Sequence, residues 1–383
     1  MTSIEKTLFD KLLQRKIDGN YRSLKPGSNK IDFCSNDYLG LASNKDLFEL
    51  IDKNIKAGKI KNGAGGSRLL SGNSQYAEEL EEYLSSIFNS EKSLFFNSGY
   101  TANLAILSAI PQKGDTIFYD QLIHASLREG GRLSFAEQFS FKHNDLNDLE
   151  SKLKRTKGNK FIVAESVYSM DGDFGNLEGL LQLCEKYNSY LIWDEAHSTG
   201  IWGEKGNGIA CSKNLQEKIL ARIYTFGKGM GVHGAIIAGS EILINFLINY
   251  ARPFIYTTAP PLHNLISVKS SFEFLINNIF LQNKISEKII FFKNMVSNNF
   301  IDIKNRLIPS HSPIQIITIG GNQRTRFVSE KLQNEGFDVR PVLSPTVKTN
   351  SERLRVCLHV FNTDKEIKEM LTVLNNCLIE DAI

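Results

Sequence analysis

The sequence predicts an α/β protein with a mostly parallel central sheet flanked by helices, followed by a smaller α+β region. Three observations carry that prediction. Short apolar runs such as "KFIVAES" (160–166), "SYLIWDEA" (189–196) and "RIYTFG" (222–227) are continuous rather than alternating, as strands covered on both faces are. From about residue 75 such runs alternate with helix-like segments, the pattern of a parallel sheet with crossover helices. After "YTTAPP" (256–261) the texture shifts to a helix-like stretch rich in Ile, Phe, Asn and Lys.

Taken in chain order, residues 3–17 set Leu8, Leu12, Leu13 and Ile17 near helical spacing, so an amphipathic helix is expected. "IDFCSNDYLGL" (31–41) reads as a short strand running into a turn. "EELEEYLSSIF" (78–88) is helical, and "KSLFFNSG" (92–99) is a strand that ends in a turn. "DTIFYD" (115–120) and "AIIAG" (235–239) complete the buried strands. Helix-like residues 262–305 precede the strands "PIQIITIG" (313–320) and "RLRVCLHV" (353–360), with helices near 323–335 and 363–378. The expected organisation is an N-terminal arm over 1–55, a large α/β domain over 56–264 and a small α+β domain over 265–383.

Composition narrows the function. The 45 basic and 42 acidic residues nearly cancel, which gives no footprint for nucleic acid or an anionic membrane. No apolar run approaches the roughly 18 residues of a membrane span, and "MTSIEKTLFDKLLQRK" carries charges throughout, so a cytoplasmic protein is expected. The cysteines Cys34, Cys184, Cys211, Cys357 and Cys377 are scattered without a CxxC, which suggests neither a disulfide framework nor a metal site.

In an open α/β sheet, ligands gather at the carboxyl ends of the strands. Ser98 and Gly99, Glu165 to Ser169, Asp194 to His197, and Lys228 each follow a predicted strand. Lys228 stands in the glycine-rich "YTFGKGMGVHGAIIAG" (224–239). A lysine amine can form a Schiff base, and pyridoxal phosphate is the cofactor that uses one. Its ring nitrogen wants a buried carboxylate, which Asp194 could supply. Its phosphate wants the N-terminus of a helix, which "FFNSGYTANLAIL" (95–107) offers. Its flat ring wants a stacked partner, and His124 in "DQLIHASLREG" (120–130) could serve. The glycines beside Lys228 would let the backbone approach the cofactor.

Each feature alone has a blander reading. Lys228 could be a solvated loop residue, Asp194 a helix cap, and "NSGYTAN" a plain strand-to-helix turn. His124 could be a surface helix residue and His197 a satisfied polar neighbour. Their order and placement together favour the shared cofactor. Competing motifs fail: "GAGGSRLLSGN" (63–73) is not G-x-G-x-x-G, and no P-loop, H-E-x-x-H or G-x-S-x-G occurs.

The succession "SNDYLGL", "GAGGSRLLSGN", "FFNSGYTAN", "HASLREG", "HNDL", "ESVYSMDGD", "DEAHSTG", "TFGKGMGVHGA", "ARPFIYTT", "SPTV" and "RLR" resembles the α-oxoamine synthase family of fold-type I pyridoxal-phosphate transferases. The resemblance covers nearly the whole chain. It implies that Lys228 carries the cofactor and moves the substrate's α-proton. Asp194 would pair with the ring nitrogen, His197 with the phenolic oxygen, and His124 with the ring face. Ser98, Gly99 and Tyr100 would hold the phosphate with Thr225 nearby, and Ser169 would also reach the cofactor. Thr257 and Thr258 would contact the phosphate across a dimer interface, which implies a homodimer. Asn36 and Arg355 would clamp the amino acid's carboxylate, a task that suits a bidentate guanidinium. Arg22 would lie near the acyl channel, and Thr346 would also bind substrate. No metal is implied. The implied reaction joins an amino acid, alanine in the best-matching branch, to an acyl thioester, pimeloyl-CoA or a pimeloyl carrier protein, with loss of carbon dioxide. Glycine- or serine-using members with other acyl chains are the alternatives.

Overall fold

In the computed structural model, which describes residues 2–24, 26–27, 29–58 and 61–380, the apolar runs become strands. The described residues hold β1 (Ile31–Asp32), β2 (Lys92–Phe96), β3 (Thr116–Asp120), β4 (Glu137–Phe141), β5 (Lys160–Glu165), β6 (Tyr190–Asp194) and β7 (Ala221–Thr225). They continue with β8 (Ala235–Gly239), β9 (Leu307–Ile308), β10 (Ile314–Thr318), β11 (Phe337–Asp338), β12 (Arg340–Val342) and β13 (Arg353–Cys357).

A seven-stranded sheet runs in the order β2-β8-β7-β6-β5-β3-β4. Its pairings are parallel from β7 to β4, and β8 is antiparallel to both β2 and β7. Six strands therefore point one way, with their carboxyl ends along one edge. Alternate residues of each strand feed opposite faces: Phe161 and Val163 pack with Ile106 and Ile117, while Ile162 and Ala164 pack with Leu177 and Trp193. Burial on both faces is why these runs are apolar without alternation. The sequence reading missed β4. That strand lies at the sheet edge beside β3 alone, and of EQFSF only Phe141 is buried, so no apolar run announces it.

The chain divides into two compact units. One comprises Met1–Ser35, Met170–Gly172 and Ser286–Ile383, and the other Asn36–Ser169 and Asp173–Ile285. This division falls later than the expected 264/265 boundary. The helix Leu262–Asn277 groups with the larger unit because it packs on the helices Lys45–Ala57 and Gln75–Ile87, with Asn54 Nδ2 donating to Ser270 Oγ at 2.9 Å. Residues 36–55 belong to that unit too, rather than to an arm. In the smaller unit β9, β10, β13 and β12 form an antiparallel sheet, and β1 pairs with β11.

The helix Ser3–Ile17 forms as expected, started by a capping box between Thr2 and Glu5. Its apolar stripe is not buried, however: Leu8, Leu12, Leu13 and Ile17 are all exposed. None of the described helices is long and apolar enough to cross a membrane.

"GAGGSRLLSGN" contains a π-helical turn over Arg68–Gly72. It is pinned by a fork from Arg68 to Glu81, with Nη1–Oε1 at 2.6 Å and Nη2–Oε2 at 3.0 Å. Glu81 also accepts from Phe95 N at 2.7 Å, so one carboxylate ties the turn to a helix and to β2. Both side chains are nearly buried. Glu81→Ala leaves the guanidinium without its carboxylate, Nε still donating to Asn73 Oδ1, and a loss of about 3–5 kcal/mol is expected in chemical denaturation. A loss below about 1 kcal/mol would show that the pair behaves as a surface ion pair.

Candidate active site

At the carboxyl edge of the large sheet lies a cavity of about 210 Å³. Ser98, Gly99, Tyr100, His124, Asp194, His197, Thr225 and Lys228 line it, so the structure brings these sequence candidates together. Strands β2, β3, β6 and β7 deliver them, each side chain lying at or just after a strand end.

Ser98 caps the helix Gly99–Ala109, its side chain accepting from Thr101 N at 3.2 Å. The N–H groups of Gly99 and Tyr100 then have no partner within the helix, and with the helix dipole they favour an anion. A Cβ on Gly99 would sit 2.4 Å from Thr225 Cγ2, so this approach of backbone to β7 needs glycine.

Asp194, the last residue of β6, is buried with a donor on each oxygen. Ala196 N reaches Oδ1 at 2.8 Å, and Asn103 Nδ2 reaches Oδ2 at 2.9 Å. His124 caps the helix Ala125–Arg132, with Nδ1 3.2 Å from Ser126 N and 2.7 Å from Ser126 Oγ. Burial and then the Lys228 charge push its pKa down, against Asp194, which pulls it up.

Lys228 sits in the turn after β7 with Nζ 3.0 Å from His197 Nε2. His197 Nδ1 is 2.8 Å from Tyr38 OH, which donates to Asn36 Oδ1 at 3.0 Å. A phenol has one proton. Given to Asn36, it leaves the oxygen to accept from Nδ1–H, and Nε2 to accept from Lys228. Of the two glycines beside Lys228, only Gly229 is required by close packing: a Cβ there would lie 2.7 Å from Thr199 O, whereas at Gly227 the nearest atom is at 3.6 Å.

Four further polar residues line the cavity: Asn103, Ser126, Glu165 and His233. Glu165 ends β5 in register with Asp194 and accepts a hydrogen bond from His124 N. Burial and the neighbouring Asp194 push its pKa up to about 8, so it keeps its proton at neutral pH. Asn103 carried one signal in the sequence. It lies four residues after Gly99, one helical turn along the same face.

Other candidates lie elsewhere. Ser169 is buried but does not line the cavity. Thr257 and Thr258 meet Asn97, whose Nδ2 is 3.3 Å from Thr257 Oγ1 and 2.9 Å from Thr258 O. Arg22 and Thr346 line a second cavity of about 310 Å³ within the smaller unit, together with Arg15 and Arg326. Arg355, on β13, places Nη1 2.8 Å from Cys357 Sγ.

"HNDL" proves to be a clamp outside the cavity lining. His143 lies between Asp120, with Nδ1–Oδ1 at 3.0 Å, and Asp173, with Nε2–Oδ2 at 2.7 Å. Burial lowers its pKa, but the bonds and charges of the two aspartates win and raise it to about 10. A raised folded-state pKa stabilises the charged form. The contribution is fully present below about 6.5 and is lost as pH rises through about 10. Urea unfolding from pH 7 to 11 should therefore show an alkaline decline that His143→Gln flattens. Parallel profiles for the two proteins would refute the clamp.

The model of the aminotransferase class I and II family matches residues 28–374. An 8-amino-7-oxononanoate synthase of Emericella nidulans is 37% identical, over 94% of this chain and 91% of that protein. The chain belongs to the α-oxoamine synthase branch of the aminotransferase class I and II family. A crystal structure of an 8-amino-7-oxononanoate synthase from Francisella tularensis is similar at 30% identity and TM-score 0.78, over 92% of this chain and 99% of that one. Serine palmitoyltransferase of S. paucimobilis shares the fold at TM-score 0.89 and 22% identity, with each chain covered in full. Pyridoxal 5′-phosphate is the cofactor that this family's donor set fits. The structure provides an amine at Lys228, a buried carboxylate at Asp194, an imidazole at His124, and a helix N-terminus where a Cβ would not fit.

Proposed function

We propose that the protein condenses L-alanine with pimeloyl-CoA, or a pimeloyl carrier protein, to give 8-amino-7-oxononanoate, the free thiol and carbon dioxide, in biotin biosynthesis. The observation that carries this reading is the single cavity uniting Lys228, Asp194 and His124, in a chain 37% identical to a synthase of that name.

When bound, pyridoxal phosphate supplies an electron sink for negative charge at the substrate's α-carbon. The chain's residues do the rest. Gly99 and Tyr100 N–H, with Ser98 and Thr225 beside them, hold the phosphate. Asp194 keeps the ring nitrogen protonated, His124 covers the ring face, and His197 meets the phenolic oxygen, with Ser169 in support. Lys228 Nζ would hold the cofactor and, as a free amine, would take the substrate's α-proton. Asn36 and Arg355 orient the amino acid's carboxylate, and Arg22 and Thr346 serve the acyl substrate. The α-carbon forms a bond to the thioester carbon, the C–S bond breaks with the sulfur leaving as a thiolate that takes a proton, and the resulting β-keto acid loses carbon dioxide as a proton returns to the α-carbon. Thr257 and Thr258 serve the phosphate across a homodimer interface, and the enzyme works in the cytoplasm.

Free-thiol release tests this reading, crossing alanine, glycine and serine with pimeloyl-, acetyl-, succinyl- and palmitoyl-CoA. Release that requires alanine and a pimeloyl thioester, on CoA or on a carrier protein, is the expected result. Release only with glycine or serine and another chain would replace the substrates, and no release with any pair would overturn the reaction.

A further inference from the structure

We propose that Asn103 and Ser126 are positioning residues. Through them one hydrogen-bond relay joins Asp194 to His124, holding carboxylate and imidazole as a unit with the imidazole proton on Nε2. The proposal rests on the cofactor roles given to Asp194 and His124 above, and does not depend on which substrates are used.

Proton accounting sets the direction of the relay. Asn103 donates through Nδ2 to Asp194 Oδ2 at 2.9 Å and to Ser126 Oγ at 3.0 Å. An amide nitrogen has two protons, and both are now placed. Ser126 is fully buried, and its hydroxyl proton has His124 Nδ1 before it at 2.7 Å. Its backbone N–H, which can only donate, points at the same nitrogen from 3.2 Å. Nδ1 is therefore the acceptor, and a neutral ring carries its proton on Nε2. The lowered pKa of His124, caused first by burial and then by Lys228, agrees with a neutral ring.

Asp194 anchors the other end. Turning the Asn103 amide over would set its oxygen against a carboxylate oxygen. The orientation is held although Asn103 Oδ1 is thereby buried with no partner among the described residues. Satisfying a core would not leave that oxygen orphaned, whereas orienting Asp194 and Ser126 together requires it. The result is an imidazole whose plane is set at Nδ1 by two contacts from one residue. The relay spans 91 residues of sequence between Asn103 and Asp194, and 23 between Asn103 and Ser126.

The test is the 15N solid-state spectrum of the cofactor-loaded, histidine-labelled enzyme. The His124 signals are identified by their loss in His124→Gln. Nε2 protonated and Nδ1 unprotonated is the expected state; a proton on Nδ1 in the unmodified enzyme overturns the proposal without any variant. Ser126→Ala keeps the backbone N–H on Nδ1 but removes the hydroxyl, so the unprotonated Nδ1 signal should shift, and Ser126→Thr, which keeps the hydroxyl, should restore it. Asn103→Ala should displace the pH midpoint of the cofactor's absorbance and lower kcat about tenfold, with KM for the amino acid little changed, as for one lost hydrogen bond. An unchanged Nδ1 signal in Ser126→Ala together with an unchanged midpoint in Asn103→Ala would reduce both residues to core packing. Because the spectra are read without substrate, failure of the proposed reaction would leave them as they are.

Discussion

Lys228→Ala is expected to abolish multiple-turnover thiol release, with kcat lowered about 10⁴-fold or more, since nucleophile and general base are lost together. The geometry says why no neighbour should replace it. The Nζ group is held 3.0 Å from His197 Nε2, and His197 is in turn committed to Tyr38. The His124 pKa is lowered and Glu165 keeps its proton at neutral pH, so neither offers an equivalent amine. Folding should be nearly unaffected, because Lys228 is half-buried in a turn and substitutions away from the core usually change stability by about 0.5 kcal/mol or less. A folded Lys228→Ala protein that still turns over repeatedly would remove the lysine from the mechanism.

Asp194→Asn should lower kcat about 10²–10³-fold, comparable to removing one preorganised electrostatic group, and should weaken cofactor retention. The substitution is nearly isosteric yet cannot be silent. Both carboxylate oxygens of Asp194 accept, from Ala196 N and from Asn103 Nδ2. An amide side chain offers one acceptor, so either orientation sets its NH2 against an existing donor. A stability loss of about 1–3 kcal/mol should accompany the kinetic loss. Cofactor absorbance on dilution, read beside kcat and a melting curve, measures all three. A variant that retains cofactor and rate would assign Asp194 to the core alone.

The kinetic prediction for Lys228 turns on a residue that stood out in the sequence, whereas the stability prediction for Asp194 turns on Asn103, which was not among the candidates. Lys228, Asp194, His124 and His197 were legible because each follows an apolar run, and the ends of parallel strands converge on one edge. Strand β4 was illegible because an edge strand with four of its five residues incompletely buried carries no apolar run. The Arg68 turn carries no pattern of its own because it is pinned by Glu81, which also accepts from Phe95 N.

By itself, the sequence determined the class of fold, the cofactor and four residues that line the candidate site, since hydrophobic burial and strand–helix alternation act locally and leave a local pattern. Only the tertiary structure decided which polar residues serve the site from behind. Asn103 and Ser126 sit inside helices rather than at the end of an apolar run, and a hydrogen bond acts over about 3 Å between atoms whose separation along the chain is arbitrary. It also decided that Asn36 reaches Lys228 through Tyr38 and His197, and that His143 is a clamp between two aspartates. Such contacts exist only once the sheet has brought distant strand ends together.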